Sequence, residues 1–110
     1  MKFTENTEFL GGSLQGYVDV TYATLVEVFG EPQSDGDSYK VDAEWDLMFE
    51  NGTHARIYNY KDGMNYNGSD GNAVEDITDW HVGGTTEDAV TVVHAALKAA
   101  GKQVRAKTGW

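Results

Sequence analysis

The segment Trp80-His81-Val82-Gly83-Gly84-Thr85-Thr86 holds the densest set of residues able to do chemistry in this sequence. An apolar-polar alternation runs into two glycines and then into hydroxyl side chains suited to capping a helix. Exposed backbone N–H groups at a helix start, backed by the positive end of the helix dipole, attract anions, and glycines let a phosphate or carboxylate approach the backbone closely. The lysine and the spacing of a P-loop are missing. Tyr58, Tyr60 and Lys61 end a neighbouring stretch and offer stacking surface, hydroxyl donors and one cation. Together with Trp80, His81, Gly83, Gly84 and Thr85 they form a candidate ligand site of nucleotide size. The competing reading of the same segment is a glycine turn followed by a threonine cap.

Other chemistries find less support. No G-x-S-x-G elbow positions a serine, and a sequence without cysteine offers no thiol nucleophile, thiolate metal ligand or disulfide. His54, His81 and His94 lack the spacing of a zinc site. Asn65, Asn67 and Asp70 around Gly68 do not complete a calcium loop. We therefore expect a protein that binds, with no catalytic residues, no cofactor and no metal. Asp42, Glu44, Asp46 and Glu50 alternate with apolar residues and form a second candidate surface, one that would meet a basic protein.

Charge sharpens that second possibility. The formal net charge is -10, and all 18 acids lie in residues 1–97, accompanied there only by Lys2, Lys40, Arg56 and Lys61. Residues 98–110 carry Lys98, Lys102, Arg105 and Lys107 and no acid. An acidic body repels duplex DNA and anionic membranes, whose binding depends on neutralising negative charge. The plain reading of such acidity is solubility, and the sharper one is steering toward a basic protein surface.

The elements that must position these residues follow from periodicity. A length of 110 residues with 40% apolar content suits one domain with one core. Residues 12–18, short and flanked by glycines, read as an N-terminal edge strand or an extended entry to the fold. Tyr22, Leu25, Val26 and Phe29 recur at helical spacing, with Thr21 or Asp19 to cap the start and Gly30 and Pro32 to end it, predicting a helix over about 21–29. Residues 40–50 and 53–61 alternate on either side of Asn51-Gly52, the mark of a hairpin. Matching faces across the pair selects a three-residue loop, Glu50-Asn51-Gly52 with Gly52 left-handed, so that Leu47 meets Ala55, Trp45 meets Ile57 and Asp46 meets Arg56. Residues 76–82 read as the third strand of the meander, broken by Gly83-Gly84. A helix over about 86–100 follows, capped by Thr85 or Thr86 and stopped by Gly101. The fold class is thus α+β, a single domain over 1–110, with the basic residues 102–110 expected to fray.

One pattern in the chain is familiar as a whole. The run Tyr17-Val18-x-x-Thr21-Tyr22-x-x-Leu25-x-x-x-Phe29-Gly30-x-Pro32, then Glu44-Trp45-x-x-x-Phe49-x-x-Gly52-Thr53-x-Ala55-x-Ile57-Tyr58-x-Tyr60-Lys61, then Trp80-His81-x-Gly83-Gly84, resembles a group of small tailed-bacteriophage proteins with no established activity. The resemblance covers residues 14–84 and departs at His54, where the group often carries Val. It implies a phage origin and the cytoplasm of an infected bacterium. By association, it suggests an accessory protein that counters host defence. The expected partner is a nucleotide-type immune signal, sequestered at the glycine-helix junction. The alternative is a host defence protein whose basic, nucleic-acid-binding surface is covered by the acidic face, as an anti-CRISPR protein or nucleic-acid mimic would cover it. A minor virion or assembly role is the third expectation, and a homo-oligomer is a further possible partner state under any of the three.

Overall fold

In this computed structural model, which describes residues 2–5, 12–32, 43–59, 67–102 and 105–107, the alternating stretches become strands and the 3.6-residue stripes become helices. The strands are β1 (Phe3–Glu5), β2 (Ser13–Asp19), β3 (Glu44–Phe49), β4 (His54–Tyr58), β5 (Asp79–Gly84) and β6 (Arg105–Lys107). The helices are α1 (Tyr22–Phe29) and α2 (Asp88–Ala99). All pairings are antiparallel, and the six strands lie in the order β1-β3-β4-β5-β2-β6. The α+β class stands, with a wider sheet than the expected meander.

The β3–β4 hairpin has the register that face matching predicts. Trp45 faces Ile57, Asp46 faces Arg56 and Leu47 faces Ala55. The Phe49 N–H donates to the Thr53 carbonyl at 2.9 Å, and Gly52 takes a left-handed φ of 86°. A two-residue loop would have put apolar and charged side chains on one face, and burial of Trp45, Leu47 and Ile57 rules that out.

Three expectations about the strands are corrected. The N-terminal strand is not at an edge: β2 lies inside the sheet, between β5 and β6. Its glycines obscure this, because Gly16 sits at a register shift between Leu14 and Gly16, and its burial comes from strands distant in sequence. The third strand begins later than expected, since Val74–Asp76 form a 3-10 turn and Ile77 drops into the core ahead of it. It also runs through Gly83 and Gly84, where a break was expected. In the C-terminal segment expected to fray, Arg105–Lys107 pairs with Tyr17–Asp19 as an edge strand.

Both helices cover the same face of the sheet. Leu25 and Phe29 of α1 and Ala89, Val92, Val93, Ala96 and Leu97 of α2 join Val18, Trp45, Leu47, Ile57, Trp80 and Val82 in one core cluster. Thr21 caps α1, its hydroxyl accepting from the Thr24 N–H at 3.1 Å. The Trp45 indole N–H donates to the Gly30 carbonyl at 2.8 Å, tying the end of α1 to the sheet. Phe3 of β1 lies 5.1 Å from the Phe29 ring and 5.6 Å from the Phe49 ring, sealing that edge of the core. α2 ends at Ala99, and Gly101 just beyond it takes a φ of 77°. No helix among the described residues is long and apolar enough to cross a membrane.

Candidate functional site

The glycine-helix junction is closed by the protein's own atoms. Gly83 pairs with Arg56 on one side and Leu14 on the other, so its backbone belongs to the sheet. A β-carbon on Gly84 would stand 2.7 Å from the Ala89 β-carbon and 2.7 Å from the His54 carbonyl oxygen. One on Gly83 would meet the Tyr58 ring and the Ser13 carbonyl at 3.4 Å. The two glycines therefore make room for α2 and for Tyr58, and leave no space for a phosphate. The Gly84 carbonyl accepts from the Gln15 side-chain amide at 3.0 Å.

The helix start is also the wrong sign for an anion. The N-cap of α2 is Glu87 and not Thr85 or Thr86, it makes no side-chain cap, and Asp88 occupies the first turn. Two carboxylates there already take the favourable interaction with the dipole that an anionic ligand would need. Thr85 is exposed and Thr86 contributes its carbonyl, which accepts from the Ala89 N–H at 3.1 Å.

Strand alternation separates two of the residues expected around the ligand. Trp80 is fully buried, 5.5 Å from the Trp45 ring, and donates to the Ile77 carbonyl at 3.2 Å. Its neighbour His81 points to the opposite face of the sheet. Exposing Trp80 to meet a ligand would forgo core packing worth roughly 3–5 kcal/mol, so it acts in the core. Tyr60, Lys61 and Asp42 lie outside the described residues.

What the structure does bring together is a row of side chains across the face of the sheet opposite α1 and α2. Register places Glu44 opposite Tyr58, Tyr58 opposite His81, and His81 opposite Tyr17. The His81 ring packs edge-on against Tyr17 at 4.8 Å and against Tyr58 at 5.4 Å. The Arg56 guanidinium lies 5.2 Å from the centre of the Tyr58 ring and donates to the Glu44 carboxylate. Burial alone would lower the Arg56 pKa, but its hydrogen bond and attraction to Glu44, helped by Tyr58 and Asp46, outweigh that and hold it above its usual value. On the same face the His54 Nε2 and an Asp46 oxygen are 2.6 Å apart.

The acidic candidates divide accordingly. Glu44 and Asp46 lie half-buried on this face, each already engaged with a basic or imidazole side chain. Glu50 is exposed in the hairpin turn, where its N–H donates to the Lys2 carbonyl at 2.9 Å. Tyr17, Arg56 and His54 were missed as site residues. The hairpin register, which already set Asp46 against Arg56, held the signal for Arg56. Tyr17 had none until β2 was known to lie beside β5.

A groove of about 370 Å³ on the other side of the molecule runs along α2, between Val90, Thr91, His94, Ala95 and Lys98. Comparison with protein-family models, curated proteins and solved structures gives no match for this chain.

Proposed function

We propose that this chain is a binding protein whose working surface is the face of its sheet opposite α1 and α2, and that the surface takes a basic protein partner. The observation that carries the reading is the Tyr17–His81–Tyr58 row with Arg56 beside it. Tyr and Arg are enriched among residues that dominate binding energy at protein interfaces, and here strand pairing and ring contacts hold them in place before any partner arrives. Glu44 and Asp46 flank the row on one side, and Asp19 and Asp79 face each other across β2 and β5 on the other. With a net charge of -10 behind them, these acids favour a partner rich in lysine and arginine.

The bacteriophage resemblance supplies a setting for such a partner: a basic, nucleic-acid-binding surface of a host defence protein in the cytoplasm of the infected cell. The competing nucleotide-capture reading loses the phosphate cradle that motivated it, and the acids beside the tyrosines would repel a phosphate placed on the row.

Isotope-labelled protein titrated with an oligo-arginine peptide, and separately with AMP, tests this by amide chemical shifts. The expected result is that the peptide perturbs Tyr17, Tyr58, His81 and Asp46 and that added salt weakens binding. His81→Ala should weaken it about tenfold, or ~1.4 kcal/mol. Perturbation scattered over the whole acidic surface, or a response to AMP alone, would overturn the proposal.

A further inference from the structure

We infer that the β3–β4 turn is a self-modification site, in which Asn51 and Gly52 take up water, release ammonia and become joined through an isoaspartyl linkage. The reaction needs an electrophilic side-chain carbonyl, a following backbone nitrogen that nothing shields, and access to water. The turn supplies all three. Asn51 and Gly52 are both exposed. Gly52 has no β-carbon, and one built there would meet no atom within 4 Å. The Asn51 side-chain oxygen accepts from the Thr53 N–H at 3.1 Å. That bond curls the carboxamide back over the peptide that joins Asn51 to Gly52, the arrangement of an Asx turn. It also polarises the side-chain carbonyl and stabilises the negative charge that develops on its oxygen under attack, as a backbone donor does in an oxyanion hole.

One contact opposes the reaction. The Gly52 N–H donates to the Phe49 carbonyl at 2.9 Å, so the turn must open for that nitrogen to lose its proton. Turns at loop tips open at low cost, and the fold therefore slows the reaction without preventing it. Once the N–H is released, a solvent base removes its proton and the Gly52 nitrogen forms a bond to the Asn51 side-chain carbonyl carbon. The bond from that carbon to the side-chain nitrogen breaks, and the nitrogen leaves as ammonia with a proton returned from solvent. Water then opens the cyclic imide. Addition at the side-chain carbonyl gives aspartate, and addition at the main-chain carbonyl leaves the chain running through the former side chain, as isoaspartate.

Both products carry a carboxylate where Asn51 was neutral, next to the exposed Glu50. Isoaspartate also adds a methylene to the main chain. The loop closes Phe49 to Thr53 at 2.9 Å across Glu50, Asn51 and Gly52, with Gly52 at a φ of 86°, and a further backbone atom does not fit that closure. The hairpin should then loosen from the turn end, starting at Phe49 and Thr53. β3 and β4 carry Glu44, Asp46, Arg56 and Tyr58. A consequence that rests on the binding reading above is that conversion weakens the hold on a basic partner and gives the surface a limited working life.

The test is to incubate the full chain in mildly alkaline buffer and map it by mass spectrometry, with fragmentation that separates aspartate from isoaspartate. Asn51 should convert mainly to isoaspartate. It should do so about tenfold or more faster than Asn72, which is exposed but followed by Ala73, whose methyl shields the nitrogen. Asn51→Gln, whose longer side chain closes the ring poorly, should stay intact. Asn67 and Gly68 form the same dipeptide at the start of a 3-10 turn with no side-chain cap, and they provide the internal reference should that variant fail to fold. Conversion at Asn67 with Asn51 intact, or equal rates at Asn51 and Asn72, would overturn the inference.

The isoaspartate form, separated by ion exchange, should exchange its Phe49 and Thr53 amides about tenfold or more faster than the fresh chain. Unchanged exchange in that form would overturn the loosening of the hairpin. Fresh chain that fails to bind the oligo-arginine peptide refutes the binding reading and leaves the chemistry at Asn51 standing. Fresh and converted chains that bind the peptide equally refute the effect on binding and leave the binding reading standing.

Discussion

Gly84 and Ala89 approach so closely that a β-carbon on the glycine would stand 2.7 Å from the alanine methyl. This contact sets how near the first turn of α2 lies to the sheet, and the His54 carbonyl at the same distance blocks the other way out. Gly84→Ala should therefore destabilise the fold by about 1–3 kcal/mol, the usual cost of forcing atoms into a filled core. Urea denaturation checks it, and an unchanged midpoint would show that the helix can move aside.

Asn59 is fully buried just beyond β4, with its side-chain oxygen accepting from the Ala43 N–H at 3.1 Å. Asn59→Ala leaves that buried amide without this acceptor. The expected loss is about 1–3 kcal/mol, read from the same denaturation curves. Asn59→Asp keeps an acceptor in place but buries a charge, and it should be no better tolerated.

Tyr22 gives a pH dependence whose sign can be worked out. Burial, followed by the negative charges of Glu31 and Glu75, raises its pKa above the ordinary 10.0. The folded state thus favours the protonated phenol. The corresponding stability is fully present below the unfolded pKa and is lost as pH climbs through the higher folded value. As pH rises through the ordinary tyrosine value of 10.0 and beyond it, the native chain should lose more stability than Tyr22→Phe, which cannot ionise. The remaining tyrosines titrate in both proteins and drop out of the difference. Parallel stability curves would show that Tyr22 ionises without strain on the fold.

Thr21→Ala removes the hydroxyl that accepts from the Thr24 N–H at the start of α1. α1 spans only Tyr22–Phe29, so one lost cap weighs heavily on it. A cost of about 0.5–2 kcal/mol is expected, with Thr21→Ser restoring most of it.

Local signals carried far in this sequence, and long-range ones did not. The β3–β4 register was legible because a slip of one residue would have turned Trp45 and Leu47 to the wrong face. The ends of both helices were legible from Gly30 and Gly101, each at positive φ. The place of β2 was not legible, since its sides are set by β5 and β6, and a glycine-rich stretch carries little alternation of its own. The glycine pair misleads for a related reason. A glycine pair between a strand and a helix has the same sequence whether it leaves room for a ligand or for the β-carbon of Ala89. Trp80 and His81 are adjacent in the chain, and for that reason strand geometry sends them to opposite sides of the sheet.

The strand order has a consequence for how the chain assembles. β3 and β4 are joined by a short turn and can pair as soon as both exist, on the microsecond scale of an isolated hairpin. β2 precedes them in sequence, yet both of its neighbours come from beyond them. It must stay unzipped while the middle of the sheet forms and close last, against partners brought in over long loops. Folding should accordingly be slow for a chain of this size, in the millisecond-to-second range of domains dominated by distant pairings. Its rate should respond more to substitutions in the β3–β4 hairpin than to changes in β2 or β6.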